Sequence, residues 1–178
     1  MKKVFAILMV VALAAASCGG GGGASCTDLC AKGKECTATI DLTQCGTDCQ
    51  AAKDTFRSDF FDKMSNCVNA TACSSVTSDY DDIFDYCSST VIPTYTGGTD
   101  ISGFIDTTCQ KMKECDAQVD INQCKTEMSS GDMLMLKLFK ESIVNCLKNC
   151  VAGFNCTTDF ATQFDGCADT CNVEIDMK

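Results

Sequence analysis

The sequence predicts an all-α protein made of two tandem, disulfide-stapled four-helix units, each a pair of α-hairpins. Three observations carry that expectation. A cysteine-bearing stretch occurs twice, Lys34-Glu35-Cys36 through Gln44-Cys45 and Lys113-Glu114-Cys115 through Gln123-Cys124, the second 79 positions after the first. Four cysteine pairs have three residues between them, the i and i+4 spacing that puts two side chains on one helix face. Apolar residues recur at helical spacing, and outside Val91-Ile92 there is no sustained alternation of the kind a half-buried strand needs.

Residues 1–17 read as an export signal, outside the fold. Lys2-Lys3 form a basic start, Val4 to Ala16 is an apolar run, and Ala15-Ala16-Ser17 is a small-residue cleavage site. The run is shorter than the roughly 17–25 residues a helix needs to cross a bilayer. Cys18 follows at once, and Gly19 to Gly23 make residues 18–25 a flexible tether. Ala15-Ala16-Ser17-Cys18 resembles the lipobox of bacterial lipoproteins. The resemblance implies that the Cys18 thiol is acylated, becomes the mature N-terminus and anchors the chain to a membrane. With Gly19 next rather than Asp, it further implies the outer membrane of a Gram-negative envelope, facing periplasm or cell surface. Parity points the same way. The chain has 17 cysteines, an odd number, and removing Cys18 into a thioether leaves an even set for pairing. The alternative is an ordinary secretion signal, with the protein released.

Cysteine at about a tenth of the chain that follows is the density of a disulfide scaffold, which persists in a non-reducing compartment. The net charge of −10, with Arg57 the one arginine, makes nucleic acid and anionic lipid surfaces poor partners.

In chain order, the first repeat covers residues 26–88, a linker 89–101, and the second repeat 102–178. In each copy the opening stretch reads as helix, short turn and capped second helix. Asp41 and Asp120 are the caps, with Gln44 and Gln123 three residues on and expected to reach back to them. Further on, Asn66-Cys67-Val68 matches Asn149-Cys150-Val151 at an offset of 83. The four added residues amount to about one helical turn, which keeps the buried face in place. Phe84-Asp85-Tyr86-Cys87 matches Phe164-Asp165-Gly166-Cys167. Phe56, Phe60, Phe61 and Met64 are candidate core in the first unit, matched by Phe139, Ile143, Val144 and Leu147 in the second. Pro93 and Gly97-Gly98 mark the linker.

Units of this size rarely bury enough apolar surface to stand alone, so bridges are expected to supply what the core lacks. Two i,i+4 pairs on antiparallel arms form a ladder: Cys26–Cys49 outside Cys30–Cys45, and Cys146–Cys171 with Cys150–Cys167 at the other end. The remaining hairpins carry only an inner bridge, Cys67–Cys87 and Cys109–Cys124. Cys36, Cys73, Cys115 and Cys156 each follow another cysteine by six residues, a rotation of about 600° away from the ladder face. Cys36–Cys73 and Cys115–Cys156 would then staple hairpin to hairpin within a unit. Small neighbours such as Ala31, Gly46 and Thr47 are expected to permit the close approach a bridge needs. The twin hairpin resembles the plant α-hairpinins and the small mitochondrial inner-membrane translocase chaperones in architecture.

The chain has no His, no Cys-x-x-Cys, no Gly-x-Ser-x-Gly and no phosphate loop. The expectation is therefore a non-enzyme without cofactor or metal, which presents a rigid surface to a protein partner. Lys32, Lys34, Lys111 and Lys113 are expected to give the two units matching exposed charge. Asp79, Asp81, Asp82 and Asp85 read as a solvated helix face rather than a cation site. Two other functions compete: a soft-metal or redox protein using cysteine thiolates, and a holding chaperone.

Overall fold

The computed structural model describes residues 25–75 and 80–173, and these contain helices and no strand. The chain divides into two compact units, one ending at Thr96 and the other starting at Gly97. Unit 1 holds α1 (Cys26–Cys36), α2 (Leu42–Thr55), α3 (Ser58–Ala70) and α4 (Tyr80–Thr94), with a 3-10 turn at Cys73–Ser75. Unit 2 holds α5 (Ser102–Cys115), α6 (Ile121–Met128), α7 (Glu141–Ala152) and α8 (Phe160–Thr170), with a 3-10 segment, Gly131–Leu138, before α7.

Local chemistry sets the helix starts. The Ser25 hydroxyl accepts the Asp28 N–H and the Asp28 carboxylate accepts the Ser25 N–H, a reciprocal cap on α1. Asp41 Oδ1 accepts from the N–H groups of Thr43 and Gln44 at 2.8 and 3.0 Å. Asp120 repeats this with Asn122 and Gln123 at the same distances. The glutamines, however, do not reach back to their caps. Gln44 Nε2 donates forward to Asp48 Oδ1, and Gln123 Nε2 to Glu127 Oε1, both at 2.8 Å. An acid one turn ahead lies on the same helix face and offers a charge-assisted bond that a neutral backbone group does not. At the far end, Asn172 takes φ 53° and Val173 N–H donates to the Ala168 carbonyl, closing α8 with a left-handed residue after the last turn.

Three expectations are corrected. The segment read as linker from Ser89 is helical as far as Thr94, so α4 carries Pro93 inside its last turn. Pro lacks a donor, yet so near the end it forfeits little of the ladder. Buried Val91 draws this turn onto the unit. The four-residue insertion is not an added α-helical turn either. α6 stops at Met128 and the added residues enter the 3-10 segment, which buries Leu136 and Leu138. Finally, Ala31 and Thr47 are exposed, and a Cβ at Gly46 would meet nothing within 4 Å. The cysteines themselves, small enough to let two helices approach, form the contact.

In unit 1, α1 packs on α2 and α3, and α3 on α4. Leu29, Phe61, Val68, Ile83 and Cys87 form the core, with Ile40, Ala52 and Met64 against it. Phe60 is buried and Phe56 only half-buried. α2 buries no side chain fully. In unit 2, α5 packs on α6 and, most extensively, on α7, which carries α8. Phe104, Val144, Leu147, Val151 and Phe164 are among its buried side chains, and the Phe104 and Phe164 rings meet edge to face at 6.1 Å. Phe139 is buried and Ile143 half-buried. Unit 2 also begins with a tie of its own. Thr99 N–H donates to the Lys137 carbonyl at 2.9 Å, and its hydroxyl donates to the Phe139 carbonyl. Gly98 permits this approach: a Cβ there would stand 3.0 Å from Lys137 Cβ.

Candidate functional site

All sixteen cysteines from Cys26 to Cys171 are bridged. On α1 and α2 the outer pair Cys26–Cys49 and inner pair Cys30–Cys45 have Cα separations of 5.6 and 5.8 Å. On α7 and α8, Cys146–Cys171 and Cys150–Cys167 stand at 5.8 and 5.7 Å. Single rungs hold the other hairpins, Cys67–Cys87 at 5.7 Å and Cys109–Cys124 at 5.8 Å. Cys36–Cys73 and Cys115–Cys156, at 5.1 and 4.8 Å, tie hairpin to hairpin. These are the eight pairs that the spacing predicts, and each unit closes on itself. Gln163 sets the position of Cys156: its Oε1 accepts the Asn155 N–H, and its Nε2 donates to the Asn155 and Thr158 carbonyls, all at 2.9 Å.

The repeat also shows what replaces a missing rung. At the 79-residue offset, the outer pair Cys26 and Cys49 falls on Ile105 and Met128. The Met128 thioether lies 3.6 Å from Cys109 Sγ, and the Met112 thioether lies 3.9 Å from Cys124 Sγ. A bridged cysteine has no S–H to donate, so these are sulfur–sulfur contacts. A thioether thus flanks each end of the one disulfide in that hairpin. The sequence carried a signal for half of this, a Met in the register of a cysteine.

The turn between the first two helices of each unit is fastened the same way twice. Lys34 Nζ donates to the Ile40 carbonyl at 2.9 Å, and Lys113 Nζ to the Ala117 carbonyl. Lys32 pairs with Glu35 at 3.2 Å and Lys111 with Glu114 at 2.8 Å, the two lysine side chains being 14% and 19% exposed. The four lysines expected to project matching free charge are thus engaged within their own hairpins. Their aliphatic stems cover the helix while the ammonium groups find local acceptors. The cap carboxylates are held below the ordinary aspartate pKa, Asp41 by the N–H groups of Gln44 and Thr43, Asp120 by those of Gln123 and Asn122.

One polar cluster was not legible in the sequence. Arg57 Nε donates to Asp59 Oδ1 and to the Tyr95 hydroxyl, each at 3.0 Å. Tyr95 in turn donates to Asp59 Oδ2 at 2.8 Å. The Tyr95 ring packs on Phe60 at 5.3 Å, and Lys63 Nζ sits 5.4 Å from its centroid. Burial pushes the Tyr95 pKa up, and its bond to Asp59 adds to the rise. Burial also works to raise Asp59, but the bonds from Arg57 and Tyr95 outweigh it and hold that carboxylate low. The cluster fastens the residue after α4 to the start of α3. At the corresponding places of unit 2 stand Lys140 and Ser142.

Among the described residues no three His, Cys, Asp or Glu side chains gather as a metal ion would require. No described helix is long and apolar enough to cross a membrane. Cys18 and the export signal lie outside the described residues, as do Asp79 and the side chains of Asp81 and Asp82; Asp85 is exposed. No family model matches the chain, and neither does any curated protein or solved structure. The arrangement is a disulfide-rich, all-helical scaffold, the kind of framework that persists in a non-reducing compartment.

Proposed function

We propose that this is an exported, non-enzymatic lipoprotein of the cell envelope. In this reading acylated Cys18 holds it at the outer membrane, and its two stapled helical units present a rigid surface to a protein partner. The observation that carries the reading is the closure of eight bridges, four within each unit. Such a framework removes backbone freedom before any partner arrives, so less ordering cost falls on binding. The lipobox-like Ala15-Ala16-Ser17-Cys18 and the odd cysteine count support the anchor. The absence of His from the chain supports a role without acid–base chemistry. Tandem units add effective concentration if the partner carries two sites. Bridging also leaves no thiolate among these sixteen cysteines for a soft metal, so nothing favours that rival reading.

Fractionation of wild type against Cys18→Ala tests the anchor. Wild type partitions with membranes and the variant is released; equal solubility of the two defeats it. Surface cross-linking on intact cells, with reduced and alkylated protein as control, tests the binding role. A partner captured by the oxidised form alone supports it, and identical capture by the unfolded form defeats it.

A further inference from the structure

The hairpin of α5 and α6 holds four sulfurs in contact: Met128 beside Cys109, and Met112 beside Cys124, at 3.6 and 3.9 Å. The two halves of this row differ in access. Cys109 and Cys124 are 0% and 7% exposed, while Met112 and Met128 are half-buried and so meet solvent. The bridge they flank is also the one disulfide joining α5 to α6. The matching hairpin of unit 1 has a second rung, in the register where Met128 stands here.

We propose that Met112 and Met128 form an oxidant-accepting site that takes up hydroperoxides in place of the Cys109–Cys124 disulfide. The thioether is the more reactive group toward a two-electron oxidant. Its sulfur lone pair attacks the terminal peroxide oxygen. The S–O bond forms as the O–O bond breaks, and the leaving oxygen departs with the proton as alcohol or water. Sulfur is oxidised by two electrons to the sulfoxide, and the peroxide is reduced by two. The sulfoxide is reversible chemistry, whereas over-oxidation of the cysteines would cut the hairpin permanently. Two thioethers give the site a capacity of two oxidant molecules before the bridge is reached. Their polarisable sulfurs also pack well against the disulfide while unreacted.

The test exposes the oxidised, folded protein to hydrogen peroxide and maps products by peptide mass spectrometry, beside a Met112→Leu/Met128→Leu variant. In wild type, sulfoxide at 112 and 128 is expected to accumulate while the Cys109–Cys124 peptide stays intact. In the variant, cysteic acid at 109 and 124 is expected to rise several-fold, with Cys146–Cys171 unchanged. Equal loss of the bridge in both proteins overturns the proposal. Should the variant fold poorly by circular dichroism, wild type alone decides. Sulfoxide at 112 and 128 appearing only after the bridge has been oxidised overturns it, and its appearance before any cysteic acid at 109 or 124 upholds it.

Discussion

Unit 1 and unit 2 close the same number of bridges around very different amounts of apolar core. Among the described residues, eight apolar side chains are buried in unit 1 and seventeen in unit 2. The difference begins at the second helix. α2 buries nothing fully, while in unit 2 the chain leaves α6 early and the 3-10 segment brings Leu136, Leu138 and Phe139 inside. α5 then finds its largest partner in α7, whereas α1 packs mainly on α2. Unit 1 adds instead the Arg57–Asp59–Tyr95 cluster, where unit 2 has Lys140 and Ser142. With four bridges in each unit, unit 1 therefore depends more on covalent constraint and unit 2 more on burial.

The comparison breaks most readily at the inter-hairpin bridges. Cys36–Cys73 and Cys115–Cys156 span 37 and 41 residues, so the entropy lost by the unfolded chain is nearly the same. Replacing either pair by Ala is expected to cost about 2–5 kcal/mol. The consequences should nevertheless differ. Hydrogen exchange should show protection collapsing through α1–α4 in the Cys36→Ala/Cys73→Ala protein, and persisting in α5 and α7 in the Cys115→Ala/Cys156→Ala protein. Equal collapse would mean that the larger core of unit 2 does not compensate.

Leu147 and Met64 occupy one repeat position, the first fully buried and the second on the edge of its core. Leu147→Ala is expected to cost about 3 kcal/mol, and Met64→Ala less than half as much. Denaturant unfolding with the bridges intact checks both, and equal losses would erase the claimed difference in packing.

Thr108 sharpens the same contrast from the other side. It is 2% exposed and its hydroxyl has no hydrogen-bond partner, where unit 1 has Leu29. Thr108→Val is expected to stabilise unit 2 by about 1 kcal/mol, by removing an unpaired buried polar group of the same shape. A loss of stability would show that the hydroxyl is satisfied in solution.

The smallest effect expected is acid sensitivity. Asp28, Asp41 and Asp59 in unit 1, and Asp100 and Asp120 in unit 2, all have pKa values held low. A carboxylate lowered in the folded state contributes stability above its unfolded pKa, about 4, and loses it as pH falls through the folded value. Melting temperature should thus decline below about pH 4, with unit 1, holding three of the five, melting first. Exchange measured along a pH series gives the order, and unit 2 melting first would contradict it.

The helical class, the two units, the bridges and the Asp41 and Asp120 caps were all readable from spacing. Most depend on local backbone geometry: an i,i+4 pair shares a face whatever surrounds it, and a cap serves the next turn of its own chain. The Cys36–Cys73 and Cys115–Cys156 bridges span 37 and 41 residues. They were readable because these cysteines turn away from the ladder face and, within each unit, have only each other left to pair with. Tertiary structure decided the rest. Val91 continues α4 past the expected boundary because there is core to bury it. The four-residue insertion becomes a 3-10 segment because Leu136 and Leu138 find cover that way. The lysines bind within their own hairpins because a glutamate lies within reach of Lys32 and Lys111, and a turn carbonyl within reach of Lys34 and Lys113. Arg57 and Tyr95 are 38 residues apart, and no periodicity links them. What a side chain meets across such a distance is fixed by how helices pack, and packing is a property of the whole unit, not of its spacing.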